Sequence, residues 1–294
     1  MSDRKPEGVS VQPADSQAEQ HLQNGKVVEN PWRRLRDFTD ARIGLGRAGI
    51  SLPTSEMLAF QLCHAQARDA VHFPLDVQAL CDALSVLPGL PQTPALQLHS
   101  QAVDRVSYLQ RPDLGRVLDD ASREKIIALP SASAAAKSDL AIVIVDGLSS
   151  LAVQQNAVAF LSPLLALLQA EKDPWSLAPI SVVEQGRVAV GDDIGELLNA
   201  RAVLLLIGER PGLSSPDSLG LYLTWDAKPG LNDSARNCIS NVRPAGLSYA
   251  EAARRVLYLL REARRLKLSG VKLKDRTQDD VIEHSGGKNF LVSE

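Results

Sequence analysis

Two short runs constrain this chain more than anything else in it. "LAIVIV" at 140–145 and "AVLLLI" at 202–207 are each six apolar residues long, with no alternation and with branched side chains at all but one position of each. A strand that shows one face to water alternates, so an uninterrupted run reads as a strand buried on both faces, which requires a parallel sheet with helices packed on each side. The intervening sequence supplies those helices. "LAVQQNAVAFLSPLLALLQA" (151–170) and "GDDIGELLNA" (191–200) carry helical spacing, and "APISVVEQGRVAV" (178–190) reads as strand, turn and strand. "LGLYLTW" (219–225) is a further strand candidate. "SYAEAARRVLYLLREARRLKL" (248–268) reads as a long closing helix with Ala253, Val256, Leu257, Leu260 and Ala263 on its apolar face. Strands alternating with helices make the expected class α/β, a doubly wound sheet over residues 134–270.

The N-terminal part reads differently. Residues 1–28 are polar and aperiodic, as expected of a tail, and 29–133 read as a mostly helical region. In it "TSEMLAFQLCHAQARDAVH" begins at Thr54, a candidate N-cap, and sets Met57, Leu58, Leu62 and Ala65 on one stripe expected to face a core. Shorter helical patterns follow in "DVQALCDALSVL" (76–87) and "PDLGRVLDDASREKIIAL" (112–129), separated by the breaker "PGLPQTP" (88–94). The small-residue linker "PSASAAAKS" (130–138) leads into the first buried run, and residues 271–294 read as a loose polar tail.

Charge and composition exclude several partners. With 294 residues, a net charge of −3 and 4% aromatic residues, the chain has neither a basic surface nor the stacking platforms that nucleic acid requires. No stretch of about 18 uninterrupted apolar residues marks a membrane span, and the first twenty residues lack the apolar core of a signal peptide. Cys63, Cys81 and Cys238 are odd in number without metal-like spacing, which fits a reducing compartment. A cytoplasmic location is expected, free or within a bacterial microcompartment.

"GLGRAG" at 44–49 has the spacing G-x-G-x-x-G of a dinucleotide-binding turn, but the charged "NPWRRLRDFTDAR" stands where the feeding strand is required. The stretch reads better as a tight turn needing glycines, with a nicotinamide-dependent oxidoreductase as the rival function. Catalytic constellations are scarce. His64 and His72 flank Arg68, a cation that opposes a metal, and Ser149 lacks a nucleophile's frame. Cys238 reads as a thiol nucleophile or, more simply, as a small buried residue. No catalytic residue and no metal ligand is assigned. Ligands in such sheets bind beyond the carboxyl ends of the strands, which selects "DGLSS" (146–150), "EQGRV" (184–188) and "GERPGLSS" (208–215), with Glu209 and Arg210 at the mouth.

These stretches resemble the small (light) subunit of ethanolamine ammonia-lyase. "RDFTDARIGLGRAG", "HAQARDAVH", "YLQRPDLGR", "IVIVDGLSS", "GRVAVGDDIGELLNARAVLLLIGERPGLSSPDSLGLYLTW" and "RNCISNVRPAGLSYAEAARRVLYLLREA" occur in the family's order over about residues 31–275. The resemblance implies a Rossmann-like domain that covers adenosylcobalamin against a large TIM-barrel subunit, which itself binds ethanolamine. It implies radical conversion of ethanolamine to acetaldehyde and ammonia by the complex, with the hard chemistry in the cofactor. It carries cobalamin contacts onto Val188 of "GRVAV", Glu209 of "GERPG" and Cys238 of "NCISN". The D-x-H-x-x-G frame, whose histidine displaces the cofactor's own base from cobalt, is absent, in keeping with a family that binds cobalamin base-on.

Overall fold

A computed structural model describes residues 30–129 and 137–277. The linker at 130–136, the N-terminal tail and the end of the C-terminal stretch lie outside the described residues. Two compact units divide between His64 and Ala65.

The first unit holds a 3-10 helix, Pro31–Asp37, a glycine-bearing loop, and the start of α1, Thr54–His72. Gly44, Gly46 and Gly49 all have positive φ (61°, 76° and 61°), the conformation only glycine adopts cheaply. At Gly44 space matters as well, since a Cβ there would stand 2.8 Å from the backbone nitrogen of Arg33. A 3-10 helix, not a strand, precedes this loop, and α1 starts five residues after Gly49. The cradle a dinucleotide needs is therefore missing, and the oxidoreductase reading loses its structural basis. Thr54 is the first helical residue rather than the cap, with the carbonyl of Pro53 accepting from Glu56 and Met57. The stripe expected to face a core does not: Met57, Leu58 and Leu62 are exposed, because among the described residues no element of this unit packs over them.

The second unit is a mixed α/β structure. Its elements are α2 (Val77–Ser85), β1 (Leu96–His99), α3 (Arg105–Gln110), α4 (Asp120–Ile127), β2 (Ser138–Val145), α5 (Ser150–Gln169), β3 (Ser181–Glu184), α6 (Val190–Leu197), β4 (Ala200–Gly208), β5 (Leu219–Trp225), β6 (Arg236–Val242) and α7 (Tyr249–Leu266). The strands form one sheet in the order β1-β3-β2-β4-β5-β6. The first four are parallel, and β5 runs antiparallel to both β4 and β6.

The two apolar runs are neighbours, with Ile142 beside Leu204 and Ile144 beside Leu206. They are buried on both faces, as their lack of alternation requires. Leu140, Ile142 and Ile144 point into a core shared with α2, α5 and α7, whereas Ala141, Val143 and Val145 point into another shared with α4 and α6. α5 is long and apolar enough to cross a membrane, yet ten of its residues are buried in this fold. All five residues assigned to the apolar face of α7 are buried.

Several expectations are corrected. Within 29–133 the described residues are mostly helical, with one strand the sequence pattern did not show: "LQLH" is β1, an edge strand four residues long, too short for its pattern to register. "PDLGRVLDDASREKIIAL" is a 3-10 turn (Leu114–Arg116) followed by α4, because Asp119 caps α4 through Ser122 and so starts a new helix. "GRVAV" is a turn and the start of α6 rather than a second strand, since Gln185 (φ 54°) reverses the chain and the Arg187 N–H bonds the carbonyl of Gly115. "RNCISNV" is β6, a strand the polar residues concealed. Order continues past residue 270, with Leu273 buried and its carbonyl held by Asn237.

Candidate functional site

β2, β3 and β4 end side by side, and the loops leaving them build a cleft. The residue following β2 is Asp146, 2% exposed, whose carboxylate accepts from the N–H groups of Gly147 (2.8 Å), Gln185 (2.9 Å) and Gly186 (3.0 Å). One side chain thus ties the ends of two strands. Arg105 supplies the counter-charge at 3.6 Å and also donates to the carbonyl of Gly147. Gly147 (φ 60°) then turns the chain, the Leu148 N–H bonds the carbonyl of Gly208, and Ser149 caps α5 while its hydroxyl donates to the carbonyl of Pro216. Ser149 is thereby a structural residue with its hydroxyl committed.

On the β3 side, the loop carries Arg187 and Val188. The guanidinium groups of Arg187 and Arg105 lie 4.4 and 4.6 Å from the ring centre of Tyr108, and Arg187 donates to the carbonyl of Tyr108. Burial, followed by the nearby Asp146 charge, pushes the Tyr108 phenol up to about 12, so it stays protonated. On the β4 side, Glu209 follows Gly208. Its carboxylate accepts from the Ser218 hydroxyl and from the Asn241 N–H at 3.2 Å, bridging β4 to the end of β6.

The resulting cleft has a volume of about 460 Å³. Its walls are apolar at Leu148, Val188, Ile207 and the ring of Tyr222, and polar at Arg187, Glu209, Arg210 and Ser240. It opens onto a bare part of the sheet. One face of β5 and β6 is covered by α5 and α7, which bury Leu221, Leu223, Ile239 and Val242, but on the other face Cys238 and Ser240 are exposed beside half-buried Tyr222. Cys238 pairs with Tyr222 in register, and its sulfur lies 3.4 Å from the Ser240 hydroxyl. Burial first, then the neighbouring Cys238 and Glu209, raise the Tyr222 phenol above its ordinary range.

Of the residues singled out in sequence, Val188, Glu209 and Arg210 line this cleft, and Cys238 stands at its edge as an exposed free thiol rather than a small buried residue. Tyr108, Tyr222 and Ser240 were missed. The two that lie on β5 and β6 sit at alternate positions facing the cleft, a signal readable only once β6 is seen as a strand.

Asp146 makes the fold pH-sensitive in an unusual direction. Burial pushes its carboxyl up to about 6, against the three N–H bonds and Arg105, which pull it down. The folded chain therefore binds a proton here between about pH 4 and 6 that the unfolded chain has released, so stability at this site is present below about pH 4 and falls as pH rises to 6. The size is about 3 kcal/mol. Unfolding free energy of wild type and Asp146→Asn, measured from pH 4 to 7, is expected to diverge, with the variant lacking this falling component; identical slopes would contradict the assignment.

The geometry can be set beside known proteins. The family profile "Ethanolamine ammonia-lyase light chain (EutC)" matches residues 29–274. A relative named ethanolamine ammonia-lyase small subunit from Azotobacter vinelandii is 58% identical over 270 residues, covering 91% of this chain and 97% of that protein. The chain belongs to the ethanolamine ammonia-lyase small-subunit family. Relatives of the same name from Pseudomonas fluorescens (56% identical; 90% and 95% covered) and Pseudomonas aeruginosa (54%; 94% and 98%) span it equally. Family membership makes the chain part of a carbon–nitrogen lyase.

Proposed function

We propose that this chain is the cobalamin-holding subunit of an ethanolamine ammonia-lyase, working against a large TIM-barrel subunit that binds ethanolamine. The complex converts ethanolamine to acetaldehyde and ammonia. The observation that carries this reading is the single cleft that gathers Val188 and Glu209, with Cys238 at its edge and an uncovered sheet face running on from it. A Rossmann-like character of the sheet belongs to the same proposal, since the cleft lies where such folds take nucleotide-like ligands.

The donor set fits a corrin. Its ring offers an apolar face and a periphery of amides that both donate and accept. Val188, Ile207 and Leu148 match the face, while Arg187, Arg210 and Ser240 offer donors, and Glu209 and the cleft's backbone carbonyls offer acceptors. The cleft's polar side chains, Arg187, Glu209, Arg210 and Ser240, would hold the ring amides, and none of the residues lining it is a histidine. When bound, adenosylcobalamin supplies the radical that begins hydrogen abstraction from the substrate. The residues here orient the ring and, with the partner, exclude water. Glu209 is already anchored by Ser218 and Asn241, so its free lone pairs are pre-aimed for a ring amide at little entropic cost.

Purified alone, the chain is expected to give no deamination of ethanolamine with added adenosylcobalamin, and mixing with the large subunit is expected to restore turnover. Comparable turnover by the isolated chain would overturn this division of labour.

A further inference from the structure

The cleft holds more positive charge than its own carboxylates answer. Arg187, on the loop after β3, and Arg210, on the loop after β4, both line it. Glu209, the carboxylate among the lining residues, accepts from the Ser218 hydroxyl and the Asn241 N–H, and among the described residues it forms no ion pair with either arginine. Asp146 is no better placed, since Arg105 at 3.6 Å and the N–H groups of Gly147, Gln185 and Gly186 already surround it. Arg187 is also short of acceptors. Its guanidinium makes one hydrogen bond, from Nη2 to the carbonyl of Tyr108 at 2.9 Å, and its Nε is buried with no acceptor. Nη2 of Arg105, whose guanidinium lies over the same tyrosine ring, is buried and unpaired as well. Buried donors in this state carry a free-energy cost and point to a ligand or ion that accepts. The contact at 4.4 Å holds Arg187 over the Tyr108 ring without adding any formal negative charge.

Ring amides can satisfy these donors but not their charge. Outside its cobalt–corrin centre, cobalamin carries a single formal charge, the phosphodiester of its nucleotide tail. We infer that Arg187 receives this phosphodiester, with Arg210 adding a second cation from the β4 side, an inference that rests on the cobalamin reading above. A guanidinium suits the task, because it stays charged and its planar fork makes charge-assisted hydrogen bonds to phosphate oxygens. Tyr108 does the positioning: its ring and its carbonyl fix the guanidinium, which leaves Nη1 for the ligand at little further ordering cost. The consequence is selectivity. A corrinoid is distinguished by whether it carries a phosphate, independently of the base beyond it.

The test measures binding rather than turnover, by equilibrium dialysis of the assembled two-subunit complex read at the corrin absorbance. The probes are cyanocobalamin, cobinamide phosphate, which has the phosphate without the base, and cobinamide, which has neither. Wild type is expected to bind cobinamide phosphate at least about tenfold more tightly than cobinamide, as hydrogen bonds to a charged group require. In Arg187→Met that preference is expected to vanish while affinity for cobinamide stays within about threefold of wild type, the sign that fold and cleft are intact. Arg187→Lys, which keeps the charge but not the fork, is expected to retain part of the preference, and Arg210→Met, at an exposed side chain, to weaken it. Equal binding of the two cobinamides by wild type overturns the inference. A wild-type preference persisting in both Arg187 variants, or in Arg187→Lys alone if the methionine variant does not assemble, overturns it too. Saturable binding of inorganic phosphate that Arg187→Met abolishes, with no preference between the cobinamides, assigns the charge to a free anion and has the same force. A wild-type complex that binds none of the three corrinoids overturns the cobalamin reading itself.

Discussion

Gly208→Ala is expected to cost about 3 kcal/mol or more and to leave little folded protein, at the top of the range for overpacking. A Cβ at Gly208 would stand 2.0 Å from the carbonyl oxygen of Ser149 and 2.6 Å from that of Asp146, both backbone atoms that cannot swing aside. These are the contacts that let the loops after β2 and β4 cross so closely, with the Leu148 N–H bonded to the Gly208 carbonyl. Gly212, in the same loop, is the natural control. A Cβ there meets the Ser215 hydroxyl at 2.6 Å, a group free to rotate, so Gly212→Ala is expected to change stability by less than about 1 kcal/mol. Thermal unfolding of the two variants checks the contrast, and a Gly208→Ala melting point near that of wild type would mean the strand ends are looser than described. A corollary is that substitution of Gly208 cannot serve as a specific probe of ligand binding, because it acts first on the fold.

A comparable loss is expected from breaking the ion pair between β6 and α6. Arg236 and Asp192 are 2% and 3% exposed in their side chains and meet through two hydrogen bonds of 2.6 and 2.7 Å. Thr224 (3.2 Å), the carbonyl of Leu231 (3.3 Å) and the carboxylate of Asp233 (3.4 Å) take up the remaining donors. Removing one partner strands the other as a buried charge, so Arg236→Met and Asp192→Leu are each expected to cost about 3–5 kcal/mol. The double variant replaces both charges by apolar groups and is expected to recover much of that loss. Denaturant unfolding of the three proteins closes the cycle, and strictly additive losses would contradict a coupled pair. The pair also matters for the cleft, because β6 carries Cys238 and Ser240 while α6 begins just after Val188.

How much of this was legible in the sequence follows from how each element is buried. β2, β4, α5 and α7 declared themselves because their burial is extensive and periodic, leaving little freedom of assignment. β1 and β6 did not. β1 is a four-residue edge strand, and β6 places Asn237, Cys238, Ser240 and Asn241 among its seven residues, with only Arg236, Ile239 and Val242 buried. Its open face is part of the candidate site, so the polarity that suits a ligand surface is what disguised the strand. α1 failed the other way, since its apolar stripe obeys the helical period but has no cover among the described residues of its own unit. Periodicity identifies a face to be buried without saying which chain buries it. The loops "EQGRV" and "GERPGLSS" were found by the rule that ligands sit beyond strand ends, whereas Tyr108, Tyr222 and Ser240 reach the cleft only through tertiary packing.

The proposed role of this subunit requires that the cleft hold the corrin within the complex. The direct measurement is the visible spectrum of the assembled two-subunit enzyme after incubation with adenosylcobalamin in the dark and gel filtration, for wild type and for Val188→Trp, which fills the cleft with an indole. The account predicts corrin bands that co-elute with the wild-type complex, none with this chain alone, and bands at least about tenfold weaker in the variant although its two subunits still co-elute. Retention of wild-type amounts of corrin by the assembled Val188→Trp complex would place the cofactor elsewhere and contradict the account.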